Sequence, residues 1–158
     1  MRRLLHLARR FFQSVRSRPL EPAEQDLIAT WLQGPEAELF WRQQRIDRRH
    51  AFDAAGHVSA ARPERTDLTR AALLHDVGKA DSSLSIPGRV IASALDLIGI
   101  PVRGRYRAYL DHGAIGAAHL TLIEADPIAV AFAAGHPGPC PPGVDPGDWA
   151  LLREADGE

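Results

Sequence analysis

The chain has 158 residues and a net charge of −1, and 45% of its residues are apolar and 25% charged, as expected for one globular domain. Because 19 basic residues nearly balance 20 acidic ones, we expect no specific nucleic-acid partner. The single Cys, Cys140, excludes an internal disulfide, a Cys-based zinc site and a CxxC redox motif. Any bound metal would therefore be held by carboxylates and by some of the seven His.

Positive charge is concentrated at the N-terminus, where residues 1–20 carry six Arg and no acidic residue. The apolar residues of this segment recur at helical spacing, which predicts a basic amphipathic helix that ends at Pro19. Such a helix could make peripheral membrane contact through residues 1–18, or it could pack on the rest of the chain. Charge complementarity favours packing, since residues 21–158 have a net charge of −7.

No run approaches the roughly 20 apolar residues that span a bilayer. Arg9 and Arg10 interrupt the apolar stretch that a secretory signal would need. We therefore expect a cytoplasmic protein.

Helix start and stop signals predict seven to nine helices, and no hairpin signal predicts strands. After the N-terminal helix, the predicted helices are Pro22–Gln33, Glu36–Ala61 with a possible restart at His50, Leu68–Val77, Pro87–Ile98, 106–124, Pro127–Gly135 and Pro146–Asp156. Asp67 is a predicted N-terminal cap, and Gly78 is a predicted left-handed stop. Residues 136–147 hold five Pro and three Gly, which predicts a loop. The fold class is therefore all-α.

The sharpest chemical motif is an apolar helix that delivers His75 and Asp76 at its C-terminal end. Both side chains can converge on one cation there, and the carbonyl end of the helix favours positive charge. An imidazole with a carboxylate suits Mn, Fe, Co, Ni or Zn, while Mg is possible. The alternative is an ordinary helix end with a hydrogen-bonded imidazole.

Three further His and one Asp are predicted near helix ends, where side chains from separate helices can share a cleft. His50 and His112 are each predicted to begin a helix, His136 follows a glycine-terminated helix, and Asp156 lies near the C-terminus. His57 and His119 lie two turns after His50 and His112, about 10 Å away, so the two members of a pair cannot ligate one ion. We expect His57 and His119 to be surface or supporting residues.

The pattern His50, His75-Asp76 and Asp156, with Leu-Leu-His-Asp-Val-Gly-Lys at 73–79, resembles the HD-domain superfamily of metal-dependent phosphohydrolases. The resemblance covers residues 40–158 and implies one compact helical HD-domain fold, in which His50, His75, Asp76 and Asp156 bind a metal ion. Residues 1–39 lie outside it and would form extra basic and Trp-containing helices packed on this domain. Their sequence is similar to that of small actinobacterial HD-domain proteins.

The resemblance also concerns the number of metal ions. His112 and His136 would hold a second ion bridged by Asp76, but only one His stands at 136 where two-metal enzymes often have a consecutive pair. The sequence therefore leaves open whether the site holds one metal ion or two. The GYP triplet of cyclic di-GMP phosphodiesterases is absent after His136, which argues against that activity.

By the same resemblance the chain would cleave a phosphomonoester or phosphodiester, such as a nucleotide, with metal-activated water. Asp76 and Lys79 are the candidate catalytic residues, and Lys79 and Arg107 are candidate contacts to the substrate phosphate. The alternative is a non-catalytic HD module that binds a nucleotide or a protein partner in the same metal cleft.

Overall fold

The computed structural model describes residues 18–157, which contain ten helical segments and no strand. The segments are α1 (Pro22–Trp31), α2 (Gly34–Arg42), α3 (Arg45–Ala61), α4 (Thr66–Leu74), α5 (Lys79–Ser82), α6 (Ile86–Leu97), α7 (Arg105–Leu110), α8 (His112–Leu122), α9 (Pro127–Gly135) and α10 (Pro146–Asp156). The predicted all-α class is confirmed. The predicted amphipathic helix falls almost entirely on residues 1–17, outside the described residues.

The central helix of the core is α4, which is buried along most of its length. Leu68, Ala71, Leu73 and Leu74 are all inaccessible to solvent, as expected for a helix that is apolar on several faces. Helices α3, α9 and α10 pack around it and add core side chains that include Val58, Phe132, Trp149 and Leu152. The C-terminal end of α4 therefore lies among these helices, in the middle of the domain.

Two predicted helix boundaries near the functional residues are wrong. Helix α3 runs without a break from Arg45 to Ala61, so His50 lies in its second turn and does not begin a helix. The break comes earlier, at Gln43 and Gln44, whose side chains donate hydrogen bonds to the carbonyls of Leu73 and Leu84. The predicted helix 106–124 is broken at Asp111, and His112 therefore becomes the first residue of α8.

Gly78 does not supply a left-handed stop, because its φ is −67°. The backbone of α8 approaches this position instead. A Cβ atom on Gly78 would lie 2.1 Å from the carbonyl oxygen of His112 and 2.6 Å from the amide nitrogen of Gly116. Glycine is thus required here by close packing and not by the sign of φ.

The predicted cap at Asp67 is also wrong. Arg65 occupies the residue before α4, and Thr66 is the first helical residue. The Asp67 carboxylate accepts two hydrogen bonds from the Arg65 guanidinium, at 2.9 and 2.7 Å. The Arg65 guanidinium thus binds the Asp67 carboxylate that would otherwise cap the helix.

The buried Arg49 side chain on α3 holds the start of the described chain. Its guanidinium donates to the carbonyl oxygen of Pro19 at 3.0 Å and to both carboxylate oxygens of Glu24. This hydrogen bonding lowers the pKa of Glu24 from 4.5 to about 2. Helix α1 is thereby fixed against α3, and Ile28 of α1 is fully buried in the core.

Glu24→Gln is expected to lower the free energy of unfolding by about 2 kcal/mol at pH 7 and by almost nothing near pH 2. The folded-state pKa of Glu24 lies below its ordinary value, so the stabilisation is present above pH 4.5 and is lost as the pH falls towards 2. Urea unfolding of both proteins across this range measures the difference. Glu38→Gln, at an exposed position of α2, is the matched control. If Glu24→Gln lowered the free energy of unfolding by the same amount at every pH, the stabilisation would not come from the ionised Glu24 carboxylate.

Candidate metal centre

Hydrogen bonds to backbone carbonyl oxygens fix the orientation of each of three histidine rings. The Nδ1 atoms bond to these oxygens at 2.7 to 2.8 Å, in the pairs His75 with Ala72, His112 with Tyr109, and His136 with Phe132. Because a carbonyl oxygen only accepts, each Nδ1 carries the hydrogen, and the neutral ring has its lone pair on Nε2. Such bonds are the usual support of histidine metal ligands.

The Asp76 carboxylate lies between these rings and is fully buried. Its Oδ1 is 3.3 Å from His112 Nε2 and 3.6 Å from His136 Nε2. Its Oδ2 is 3.3 Å from His75 Nε2 and contacts the Lys79 ammonium. Burial would raise the pKa of Asp76, but the positive charges of Lys79 and His75 outweigh it and hold the pKa well below its ordinary value.

The second carboxylate, Asp156, comes from the last residue of α10. Its Oδ1 is 2.6 Å from His50 Nε2 and 3.2 Å from His75 Nε2. Trp149 and Leu152 are buried in the core and hold α10 in place. The C-terminal helix thereby brings Asp156 next to His50 of α3. The two carboxylates thus share His75 as a neighbour.

Two carboxylates act on the fully buried His75 ring. Burial lowers the pKa of His75, but the carboxylates of Asp76 and Asp156 outweigh burial and raise it to about 10. Yet these contacts are close in distance without having hydrogen-bond geometry, so the buried His75 Nε2 and Asp76 Oδ1 have no hydrogen-bond partner within residues 18–157. An unsatisfied buried polar atom costs about 1–3 kcal/mol, and a cation between these atoms would satisfy both. The residues therefore fit a metal ion.

Three overlapping groups of side chains could hold an ion, and the ligand atoms within each group lie within 4.8 Å of one another. The groups are His50, His75 and Asp76; His75, His136 and Asp156; and Asp76, His112 and His136. All six residues predicted as ligands are thus brought into one cluster. They come from α3, from the turn after α4, and from the ends of α8, α9 and α10.

Two other predicted site residues, Lys79 and Arg107, lie at different places relative to the cluster. The Lys79 ammonium contacts Asp76 at the edge of the cluster. Arg107 lies on the exposed surface, where it forms a bidentate pair with Asp111 at 2.6 and 2.7 Å. No contact joins the Arg107 guanidinium to the metal-ligand cluster in the described part of the chain, and its contact to a substrate phosphate stays a prediction.

His57 and His119 lie outside the cluster. His57 Nε2 is 3.8 Å from a Glu154 oxygen on the surface, and His119 Nε2 is 2.7 Å from an Asp81 oxygen. Both placements agree with the expected surface or supporting roles.

Sequence reasoning missed a buried pair that borders the cluster. Arg89 donates two 2.6 Å hydrogen bonds to Asp47, and its guanidinium lies 5.7 Å from the Tyr109 ring centre. Tyr109 in turn stacks on the His112 ring. The pair therefore connects α3 and α6 to a predicted metal ligand. No local sequence signal marks this pair, because its two residues lie 42 positions apart.

Compared with models of known protein families, with curated proteins and with solved structures, the chain matches none. The geometry of the cluster itself therefore carries the functional argument.

Proposed function

We propose that this chain is a metal-dependent phosphohydrolase of the HD superfamily that cleaves a phosphomonoester or phosphodiester of nucleotide type. The observation that carries the proposal is the partly buried cluster of four imidazoles and two carboxylates, in which His75 Nε2 and Asp76 Oδ1 have no hydrogen-bond partner within residues 18–157. A cluster of this composition stabilises a cation better than a neutral or apolar group.

The donor atoms indicate which ions would be held. Imidazole nitrogen with carboxylate oxygen suits Mn, Fe, Co, Ni or Zn, and it suits Mg less well. His50, His75, Asp76 and Asp156 would hold one ion, while His112 and His136 would hold a second one shared through Asp76. Two observations support the second ion: Oδ1 and Oδ2 of Asp76 face different histidines, and two of the three candidate groups have Asp76 in common.

When bound, such ions supply a water-derived nucleophile at neutral pH and neutralise charge on phosphoryl oxygens. The residues of the chain prepare the site for this chemistry. The carbonyl hydrogen bonds of His75, His112 and His136 fix the ring orientations, so little reorganisation is needed during the reaction. The Lys79 ammonium adds a positive charge next to Asp76, where it can contact a phosphoryl oxygen.

The proposal is tested with the purified full-length protein, supplied separately with Mn, Co, Ni, Zn and Mg. The substrates are p-nitrophenyl phosphate, bis(p-nitrophenyl) phosphate and a panel of nucleotides. We expect turnover that EDTA abolishes and the active ion restores. Bound metal without turnover of any ester would instead support the non-catalytic binding module.

Lys79→Arg should lower kcat by about 10- to 100-fold and leave the metal content unchanged. Lys79 is the only Lys in a chain with 18 Arg, and the larger planar guanidinium cannot take the same single-point position beside Asp76. Steady-state kinetics with metal analysis measures both effects. Arg105→Lys is the matched control, because Arg105 bonds only backbone carbonyls of Ser82 and Ser83. Wild-type kcat in Lys79→Arg would remove Lys79 from the mechanism.

A further inference from the structure

Helix α6 presents an apolar stripe to solvent. At 100° per residue, one face carries Pro87, Val90, Ile91, Ala94, Leu97 and Ile98. All six are exposed, and the four large ones are between 45% and 67% accessible. An amphipathic helix in a globular protein normally turns such a face towards the core.

The contact of α6 with the rest of the domain uses a different face. Gly88 and Ala92 are its buried residues, and they lie roughly a third of a turn away from the apolar stripe. A Cβ atom on Gly88 would lie 3.3 Å from the side chain of Leu84, a buried residue that directly precedes the helix. Residues 18–157 therefore leave the apolar stripe exposed, and Ile100, just after the helix, is exposed as well.

Charge distinguishes this region from the rest of the chain. Residues 86–107 hold four Arg and one acidic residue, a net charge of +3, and residues 1–20 carry +6. Two of the four Arg, Arg89 and Arg107, form ion pairs with Asp47 and Asp111. The other 116 residues have a net charge of −10. Arg103 and Arg105 are exposed directly after the apolar stripe. Arg105 bonds only neutral backbone carbonyls in the described structure, so its charge is available to an anionic surface.

We propose that the apolar stripe of α6, with the arginines that follow it, docks on an anionic phospholipid surface. Within residues 18–157 no helix is long and apolar enough to cross a membrane, so α6 would lie parallel to the interface with its stripe below the headgroups. Arg103 and Arg105 would contact lipid phosphates at the rim. This surface is separate from the metal cluster, and its test does not depend on the proposed hydrolase activity.

Charge favours a lipid surface over the other occupants of the stripe. Residues 1–17, if they covered the stripe, would bring five Arg next to Arg103 and Arg105. A second copy of residues 86–107 would likewise place a net charge of +3 against an identical one. An anionic bilayer instead offers negative charge and an apolar layer together.

The experiment is co-sedimentation of the full-length protein with vesicles. We expect binding to equal mixtures of phosphatidylglycerol and phosphatidylcholine in 0.1 M NaCl, and little binding to phosphatidylcholine alone. The double variant Ile91→Asp/Ile98→Asp should bind at least tenfold more weakly. The matched control is Leu27→Asp/Leu122→Asp, which adds the same charge at exposed leucines of α1 and α8 and should bind within about twofold of the wild type.

Three results would overturn the proposal. The wild type could fail to sediment with anionic vesicles, or the α6 double variant could bind as tightly as the wild type, which would assign lipid binding to residues 1–17. Alternatively, sedimentation equilibrium could show a dimer that only the α6 double variant converts to a monomer. In that case the apolar stripe is an interface between copies of this chain.

Discussion

Asp76→Asn should remove the bound metal and lower hydrolysis by about 10³-fold or more. The change keeps the shape of the side chain but removes the charge that three histidine Nε2 atoms face at 3.3 to 3.6 Å. A neutral amide oxygen binds divalent ions far more weakly, and it cannot bridge two of them as a carboxylate does. Metal analysis and steady-state kinetics on the purified variant measure the two losses.

The matched control for this change is Asp81→Asn. Asp81 also lies 2.7 Å from a histidine Nε2, that of His119, and it forms an ion pair with Arg42 outside the cluster. Asp81→Asn should retain its metal content and activity. If Asp76→Asn kept full metal content and full activity, Asp76 could not be the shared ligand and the proposed mechanism would fail.

Gly78→Ala should lower the free energy of unfolding by about 3 kcal/mol or more. The added methyl group would meet the His112 carbonyl oxygen at 2.1 Å and the Gly116 nitrogen at 2.6 Å. Both are backbone atoms, so neither can rotate away and α8 must shift as a unit. Because His112 is the first residue of α8, the shift also moves its ring relative to Asp76.

Urea unfolding measures the stability loss, and titration of the folded variant with Mn or Zn measures the weakened metal affinity. Gly56→Ala is the control, because it lies inside α3 with no atom within 4 Å of the new Cβ. Alanine is the better helix former, so Gly56→Ala should gain about 0.5–1 kcal/mol. Equal stability of Gly78→Ala and the wild type would show that α8 does not need this close approach.

The helical elements could be predicted because their signals are local. Pro at the first turn of α9 and α10, together with Asp126 and Asp145 as caps whose side chains accept backbone hydrogen bonds, marks both starts in the sequence. The break before α3 has no such signal. It depends on Gln43 and Gln44, whose partners lie 30 and 40 residues away.

Gly78 shows a second limit of sequence reasoning. A glycine after an apolar helix indicates a left-handed stop, and the sequence contains nothing that distinguishes this from a glycine required by an approaching backbone. The approaching segment, α8, begins 34 residues later. Only the tertiary structure reveals which of the two reasons applies.

For the candidate site, the resemblance to the HD superfamily and the positions near predicted helix ends named six His and Asp residues, and the structure places all six in one cluster. Their role as metal ligands stays a prediction. The Arg89–Asp47 pair joins residues 42 positions apart and leaves no local trace. Arg107 illustrates the opposite case. Asp111 stands four residues after it on the same helical face, so their pairing could have been predicted from the sequence.

The most direct measurement is the metal content of the full-length protein, purified without chelator, reconstituted with Mn, Co, Ni or Zn and dialysed. We expect at least one tightly bound ion per chain and its loss in Asp76→Asn. We also expect a lower melting temperature after removal of the ion, because the buried Nε2 and carboxylate oxygen lose their partner. A wild-type protein that retains none of these ions, and whose melting temperature none of them raises, would show that the His and Asp cluster does not bind a metal ion.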